Sequence, residues 1–304
     1  MDISSLTKYW SSIYSIIREF WEIIEPHIED AAVRDNIPIE LYYYSELGLE
    51  TFSIENFQKR DPFTNPEQFE RLFARFDVKG WIVPMPDEEY QVTEAAREGT
   101  RKIIQAGDEQ LSKFENFVDI DLKQLAILLR QIVAESNLAS EPPQKWAIFK
   151  RFRVANHRSP TSVRIRDYMM DLFAYRDDCH LSAAQPHFGQ AGIAWSVLGA
   201  IWNGDAVTAE QMAETMESRG YDVSDYEVAI QAAMQIGWVE SADVPGKFRP
   251  TPKGRELREQ VENLTNEYFY RPWSVLTQDE LDELYGLLTK LHEQLLAYKK
   301  SLAR

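Results

Sequence analysis

Phe69-Glu70-Arg71-Leu72-Phe73-Ala74-Arg75-Phe76-Asp77-Val78-Lys79-Gly80-Trp81-Ile82-Val83 reads as an amphipathic helix that stops on a Gly-Trp pair and turns at once into a short apolar strand. The chain continues through Pro84 to Glu89, returns through Tyr90-Gln91-Val92-Thr93, and enters a second helical run from Glu94 to Ile104. The same order recurs from Tyr226 to Ile236, then Gly237-Trp238-Val239, Glu240 to Lys247, Phe248-Arg249-Pro250-Thr251 and Lys253 to Val261. In both places Gly supplies the left-handed conformation that ends a helix. Trp opens the strand with a large apolar anchor, and Thr suits the N-cap of the closing helix. Trp-to-Thr spacing is twelve residues in the first copy and thirteen in the second, so only the turn differs.

Helix, stop, hairpin, helix is the order of a winged helix-turn-helix. Two copies predict a mainly α fold with small β-hairpin wings (α+β), built as tandem winged helix-turn-helix domains joined and flanked by helices. Along the chain this gives an N-terminal winged-helix domain at 1–112, a helical linker with a basic segment at 113–190, a second winged-helix domain at 191–262 and C-terminal helices at 263–304.

The 304 residues suffice for two domains with cores of their own. The single Cys179 excludes a disulfide framework within one chain and fits a reducing compartment. There is no apolar run of membrane-spanning length and no basic, apolar start typical of a secretory signal. A cytoplasmic protein without membrane contact is expected. The formal net charge of −16 argues against indiscriminate nucleic-acid binding, which rests on Lys and Arg. That charge is unevenly spread: residues 1–140 and 191–304 are acidic, and 141–190 are basic.

Working outward, Trp10, Ile13, Ile17, Phe20, Trp21 and Ile24 fall at helical spacing. Pro26 marks a kink or a restart, and Ile37 to Leu47 gives a helix that Gly48 can end. Asn65-Pro66-Glu67 is an N-cap, a first-turn Pro and a first-turn acid, opening the helix at the first recognition position. Phe69, Leu72, Phe73 and Phe76 form its buried stripe. Gln68, Arg71 and Arg75 lie three and four apart on the other side, where a major groove would meet them. Against this stand Glu67, Glu70 and Asp77 on the same helix, and Asp87-Glu88-Glu89 in the wing.

Between Lys145 and Arg166 the residues Lys145, Lys150, Arg151, Arg153, Arg158, Arg164 and Arg166 occur with no acidic residue among them, interleaved with Trp146, Phe149 and Phe152. Such a run either binds phosphate or neutralises the protein's own acidic surfaces across an interface. The following helix, Ser162 to His180, ends near Asp177, Asp178, His180 and His187, with His157 upstream. His157, Asp177, His180 and His187 are weak candidates for a divalent metal. Their spacing matches no established motif, and helix-end polar residues are the simpler reading. Cys179 reads as a small buried hydrophobe. No catalytic constellation or cofactor motif stands out, so neither an enzyme nor a cofactor is expected.

In the second copy Thr208-Ala209-Glu210-Gln211 is a capping box. Ser224-Asp225 opens the helix Tyr226 to Ile236, which has no Lys or Arg and carries Asp225 and Glu227. Lys247, Arg249, Lys253 and Arg255 make the second wing the more basic part. At the C-terminal end, Thr277 to Glu280 caps a helix with Leu281, Leu284, Leu288, Leu291 and Leu295 in a stripe that suits a partner helix. That partner is the N-terminal helix of the same chain or of a second one.

Gly237-Trp238-Val239, Thr251-Pro252-Lys253-Gly254-Arg255-Glu256-Leu257-Arg258-Glu259-Gln260-Val261-Glu262, Thr265 and Pro272-Trp273 resemble a family of two-domain winged-helix proteins described as MarR-like. Asp177-Asp178-Cys179-His180, upstream of Ala194-Trp195, extends the resemblance to roughly residues 175–290. It implies a transcriptional regulator and no catalytic residues. Two readings follow. One is a homodimeric DNA-binding regulator, joined through its N- and C-terminal helices and open to a small-molecule effector. In it Gln68, Arg71 and Arg75 read bases and the Lys145–Arg166 segment binds phosphate. The other is an acidic winged-helix module that binds protein or a small molecule without sequence-specific DNA contact. A metal-dependent enzyme on the His/Asp set is a third, minor one.

Overall fold

The computed structural model describes residues 3–41, 51–86, 89–117, 120–150, 157–189 and 192–302. It is mainly helical with two small antiparallel sheets. The first stretch holds α1 (Thr7–Arg34), β1 (Thr51–Phe52), α2 (Ile54–Arg60), α3 (Pro66–Val78), β2 (Ile82–Pro84) and β3 (Tyr90–Val92). Then come α4 (Glu94–Ser112), α5 (Leu122–Leu138), a single turn α6 (Ala147–Lys150) and α7 (Thr161–Phe188). The last stretch holds α8 (Gly192–Asn203), α9 (Ala209–Thr215), α10 (Val223–Ile236), β4 (Val239–Ser241), β5 (Phe248–Pro250), α11 (Pro252–Tyr270) and α12 (Gln278–Leu302). The chain forms two compact units, each drawn from separated stretches: 1–50, 92–179 and 266–304 in one, 51–91 and 180–265 in the other.

In the first unit, α1 runs through Pro26 without restarting. Its apolar face, Ile13, Ile16, Phe20, Ile23, Ile24 and Ile28, is buried. The leucine stripe of α12 is buried too, and α1 and α12 pack on each other. The partner helix that the stripe asks for is therefore α1 of the same chain. The leucine stripe itself is thus not available to a second chain. Tyr9 joins the two ends of this packing: its hydroxyl donates to the Leu281 carbonyl at 3.0 Å, and its ring meets Trp273 edge-on at 5.4 Å. Gly99 lets α4 lie close to Ile37, since a methyl group there would stand 3.0 Å from its side chain. Most of the helix expected from Ile37 to Leu47 lies outside the described residues.

In the second unit, β1 pairs with β3 antiparallel and the sheet order is β1-β3-β2. Asn65 caps α3 as its sequence requires, its side-chain oxygen accepting from Glu67 N–H, with Pro66 in the first turn. Phe57, Phe69, Phe73, Phe76 and Ile82 are buried around this helix. Gly80 and Gly237 both take positive φ, 71° and 80°, and so end α3 and α10 where the Gly-Trp pairs predict. Around the second hairpin, Trp195, Leu198, Ile201, Met212, Tyr226, Ile230, Ala233, Trp238 and Val261 form one apolar core. Phe248 N–H donates to the Val207 carbonyl at 3.0 Å, tying the hairpin to the entry of α9.

Two caps differ from expectation in detail. Gln211 reaches back to Val207 N–H at 2.9 Å rather than to Thr208. The reciprocal capping box instead belongs to α10, where Asp222 and Asp225 exchange bonds, so this helix starts about a turn earlier than Tyr226.

Among the glycines of the unit, Gly254 of α11 makes the closest approach, against Trp238 just before β4. A methyl group on Gly254 would lie 2.0 Å from the Trp238 carbonyl oxygen. Gly254→Ala is therefore expected to destabilise by about 1–3 kcal/mol or more through overpacking. Gly286→Ala, on the exposed face of α12 with nothing within 4 Å, should stabilise by about 0.5–1 kcal/mol. Urea unfolding of both variants checks the pair.

Candidate nucleic-acid interface

Two helices, α3 and α10, each precede a hairpin and present an outer face. On α3, Gln68, Arg71 and Arg75 share a side as their spacing requires. Gln68 and Arg71 are already engaged with each other: Arg71 Nε and Nη2 donate to Gln68 Oε1 at 3.3 and 2.9 Å. Arg71 also pairs with Glu67 at 3.5 Å.

Beneath Gln68 and Arg71 lies the turn at Gly220, where an added methyl would stand 2.9 Å from Gln68 Cβ and 3.2 Å from Arg71 Nη2. Asn65 fixes the approach. Its backbone N–H donates to the Arg219 carbonyl at 2.9 Å, and its side-chain amide donates to the Gly220 carbonyl at 3.2 Å. A recognition helix enters the major groove with its N-terminal residues. That end of α3 is held to the chain's own turn on the Gln68 side, while Glu67, Arg71 and Arg75 are exposed.

On α10 the buried stripe is Tyr226, Ala229, Ile230 and Ala233. Its outer side, with Glu227, Val228, Gln231, Ala232 and Gln235, lines a groove of about 620 Å³. Glu210 of α9 and Gly246 and Phe248 of the second hairpin complete the lining, which contains no Lys or Arg. The cations of the hairpin are partly spent elsewhere. Arg249 pairs with Glu240 at 2.9 Å, and Lys253 Nζ donates to the Ile236 carbonyl at 2.9 Å. Lys247 and Arg255 are exposed. Sequence reading registered the missing cations of this helix but not the groove. The one available signal was Val228, an apolar residue outside the buried stripe.

Among the described residues of the basic segment, two cations are engaged within the fold. Arg166 is only 4% exposed and pairs with the equally buried Asp167 at 3.1 Å, so no phosphate can reach it. Lys145 donates to the carbonyls of Ser136, Asn137 and Ala139, closing the C-terminus of α5. Burial lowers the pKa of its ammonium group. Arg164 is half-buried and donates to Thr161 Oγ1 at 3.1 Å, while Arg158 is exposed. Lys150 lies in α6, its side chain outside the description, and Arg151 and Arg153 lie outside the described residues.

His180 and His187 stand seven residues apart on α7. His180 lies 3.6 Å from Glu262, His187 stacks on Trp195, and His157 is exposed. No three His, Cys, Asp or Glu gather into a metal site among the described residues, Asp177 included. Next to Asp177, Asp178 accepts the backbone N–H groups of Trp146, Ala147 and Ile148 at 3.1, 2.8 and 2.9 Å. It caps α6 from a distance. Cys179 is fully buried, and burial pushes its thiol pKa well above the usual range, which keeps it an inert core residue.

Residues 174–301 match a sequence family described as a helix-turn-helix family. The match supports a helix-turn-helix domain over that stretch. No curated protein and no solved structure matches the chain. Within the matched stretch the helix-turn-helix pair is α9 and α10. The segment Thr251 to Glu262 acts as framework: Arg258 is buried with its guanidinium over Trp195 at 4.6 Å and Trp202 at 5.2 Å. No helix among the described residues is long and apolar enough to cross a membrane.

Removing the cap and the docking amide together, Asn65→Ala is expected to cost about 1–2 kcal/mol. Asp178→Ala strands three backbone donors, two of them buried, and should cost more, about 3 kcal/mol. Chemical denaturation reads both.

Proposed function

We propose that this protein is a regulator of the winged helix-turn-helix, MarR-like type, with two copies of the motif in tandem. It acts through protein contacts at the helix faces that, in a base-reading domain, would enter the major groove. The observation that carries this reading is the outer face of α10. It holds Glu227, borders Glu210 and contributes no Lys or Arg to the groove it lines. Contact with DNA depends on neutralising phosphates with cations. Carboxylates at the point of closest approach oppose it, and on α3 the first turn is tied to Arg219 and Gly220 through Asn65 and carries an exposed carboxylate of its own, Glu67.

A second reading, a dimeric regulator that binds a specific DNA sequence, is favoured by the helix-turn-helix match and by the exposed Arg71 and Arg75 on α3. Its dimer would need a surface other than the leucine stripe of α12. Selection from a random duplex library at low and moderate salt separates the two readings. The interaction reading expects weak binding that moderate salt abolishes and no enriched sequence. An enriched pseudo-palindrome, relaxed by replacing Arg71 and Arg75 together with Ala, would sink that reading and establish the second.

A further inference from the structure

We infer that the groove between α10, the start of α9 and the second hairpin binds a basic amphipathic segment of a partner protein. An apolar side chain would lie along Val228, Ala232 and Phe248, with Lys or Arg against Glu210 and Glu227. This rests on the interaction reading above and names the partner's chemistry.

The lining has two parallel tracks. Glu227, Gln231 and Gln235 recur every four residues and form a polar edge. Val228 and Ala232 run beside them as an apolar edge, with Val228 71% exposed. From residue 227 to 235 the tracks extend about 12 Å along α10, the length of two helical turns in a bound segment. Phe248 and Ala209 supply further apolar lining, and Glu210 adds a second carboxylate. Hydrogen bonds from its own backbone N–H and from Thr208 lower the Glu210 pKa, so it is ionised at neutral pH.

Charge complementarity selects the occupant. Two carboxylates and no cation in the lining repel phosphate and acidic peptides and attract Lys and Arg. The exposed apolar track asks for more than a point charge. An amphipathic segment laid in a groove satisfies both demands at once.

The test is fluorescence anisotropy of the full chain with a labelled peptide carrying Leu at i, i+3, i+4 and i+7 and Lys between them. The controls are its Leu/Glu and Ser/Lys counterparts. Glu210 and Glu227 are reversed together to Lys in one variant, and Val228→Asp is made in another. A charge-matched control reverses the exposed Glu256 and Glu259 of α11. The substituted groove positions Glu210, Glu227 and Val228 are all exposed, and circular dichroism verifies the fold of each variant.

The inference expects the Leu/Lys peptide to bind at least about tenfold more weakly to both groove variants and equally well to the control. It also expects neither counterpart peptide to match the Leu/Lys peptide. No binding of the Leu/Lys peptide, binding that survives the groove substitutions, or equal weakening in the charge-matched control would overturn the groove as the site. None of these results produces an enriched duplex, so the regulator reading stands or falls separately on the library selection.

Discussion

The close approach of α11 to the start of the second hairpin sets the geometry of the helix-turn-helix portion. Gly254 removes the side chain that would otherwise strike the Trp238 backbone. Thr251 then serves both neighbours: its N–H donates to the Trp238 carbonyl, its hydroxyl donates to Gly237, and the same oxygen accepts from Gly254 N–H. With α11 held at that depth, Arg258 arrives one turn later between Trp195 and Trp202, and Trp195 meets Trp238 edge-on at 6.0 Å. Hairpin, α8 and α11 are thus fixed by one run of contacts. None of them uses the outer face of α10. On that face Ala232 still packs on the core, while Glu227, Val228, Gln231 and Gln235 are exposed.

Several cations of this acidic chain are committed within the fold. Arg258 lies between aromatic rings, Arg166 is buried beside Asp167, and Lys145 closes a helix end. Arg219 donates to Ser196 Oγ at 2.6 Å and covers the ring of Phe63. Guanidinium and ammonium groups spent on carbonyls and rings cannot also neutralise phosphates. The acidic balance at the surface therefore follows from where the cations sit as well as from how many there are.

Local signals in the sequence carried most of the architecture. The Gly-Trp stops, the Asn65-Pro66 start and the Thr caps each depend on a few neighbouring residues, so they can be read without knowing what packs against them. The leucine stripe of α12 demanded a partner, but only packing could show that α1 supplies it. Two cations of the basic segment were illegible for a related reason. Arg166 and Lys145 look solvent-facing until the buried Asp167 and the open end of α5 are seen beside them. The groove was least legible, because a concave surface is a property of three separated elements, whereas its best clue, Val228, is a single residue.

The docking of Asn65 onto Arg219 and Gly220 also bears on how the protein can be divided. The stretch that matches the helix-turn-helix family begins at 174, yet residues 51–91 belong to the same compact unit as 180–265. Cutting the chain to the matched stretch would strip the amide donors from two carbonyls of the helix-turn-helix turn. It would also uncover the face where Phe63 meets Phe188. The earlier helix-hairpin segment thus works as a built-in splint for the later one, and a fragment without it should breathe most at the turn that sets the angle of α10.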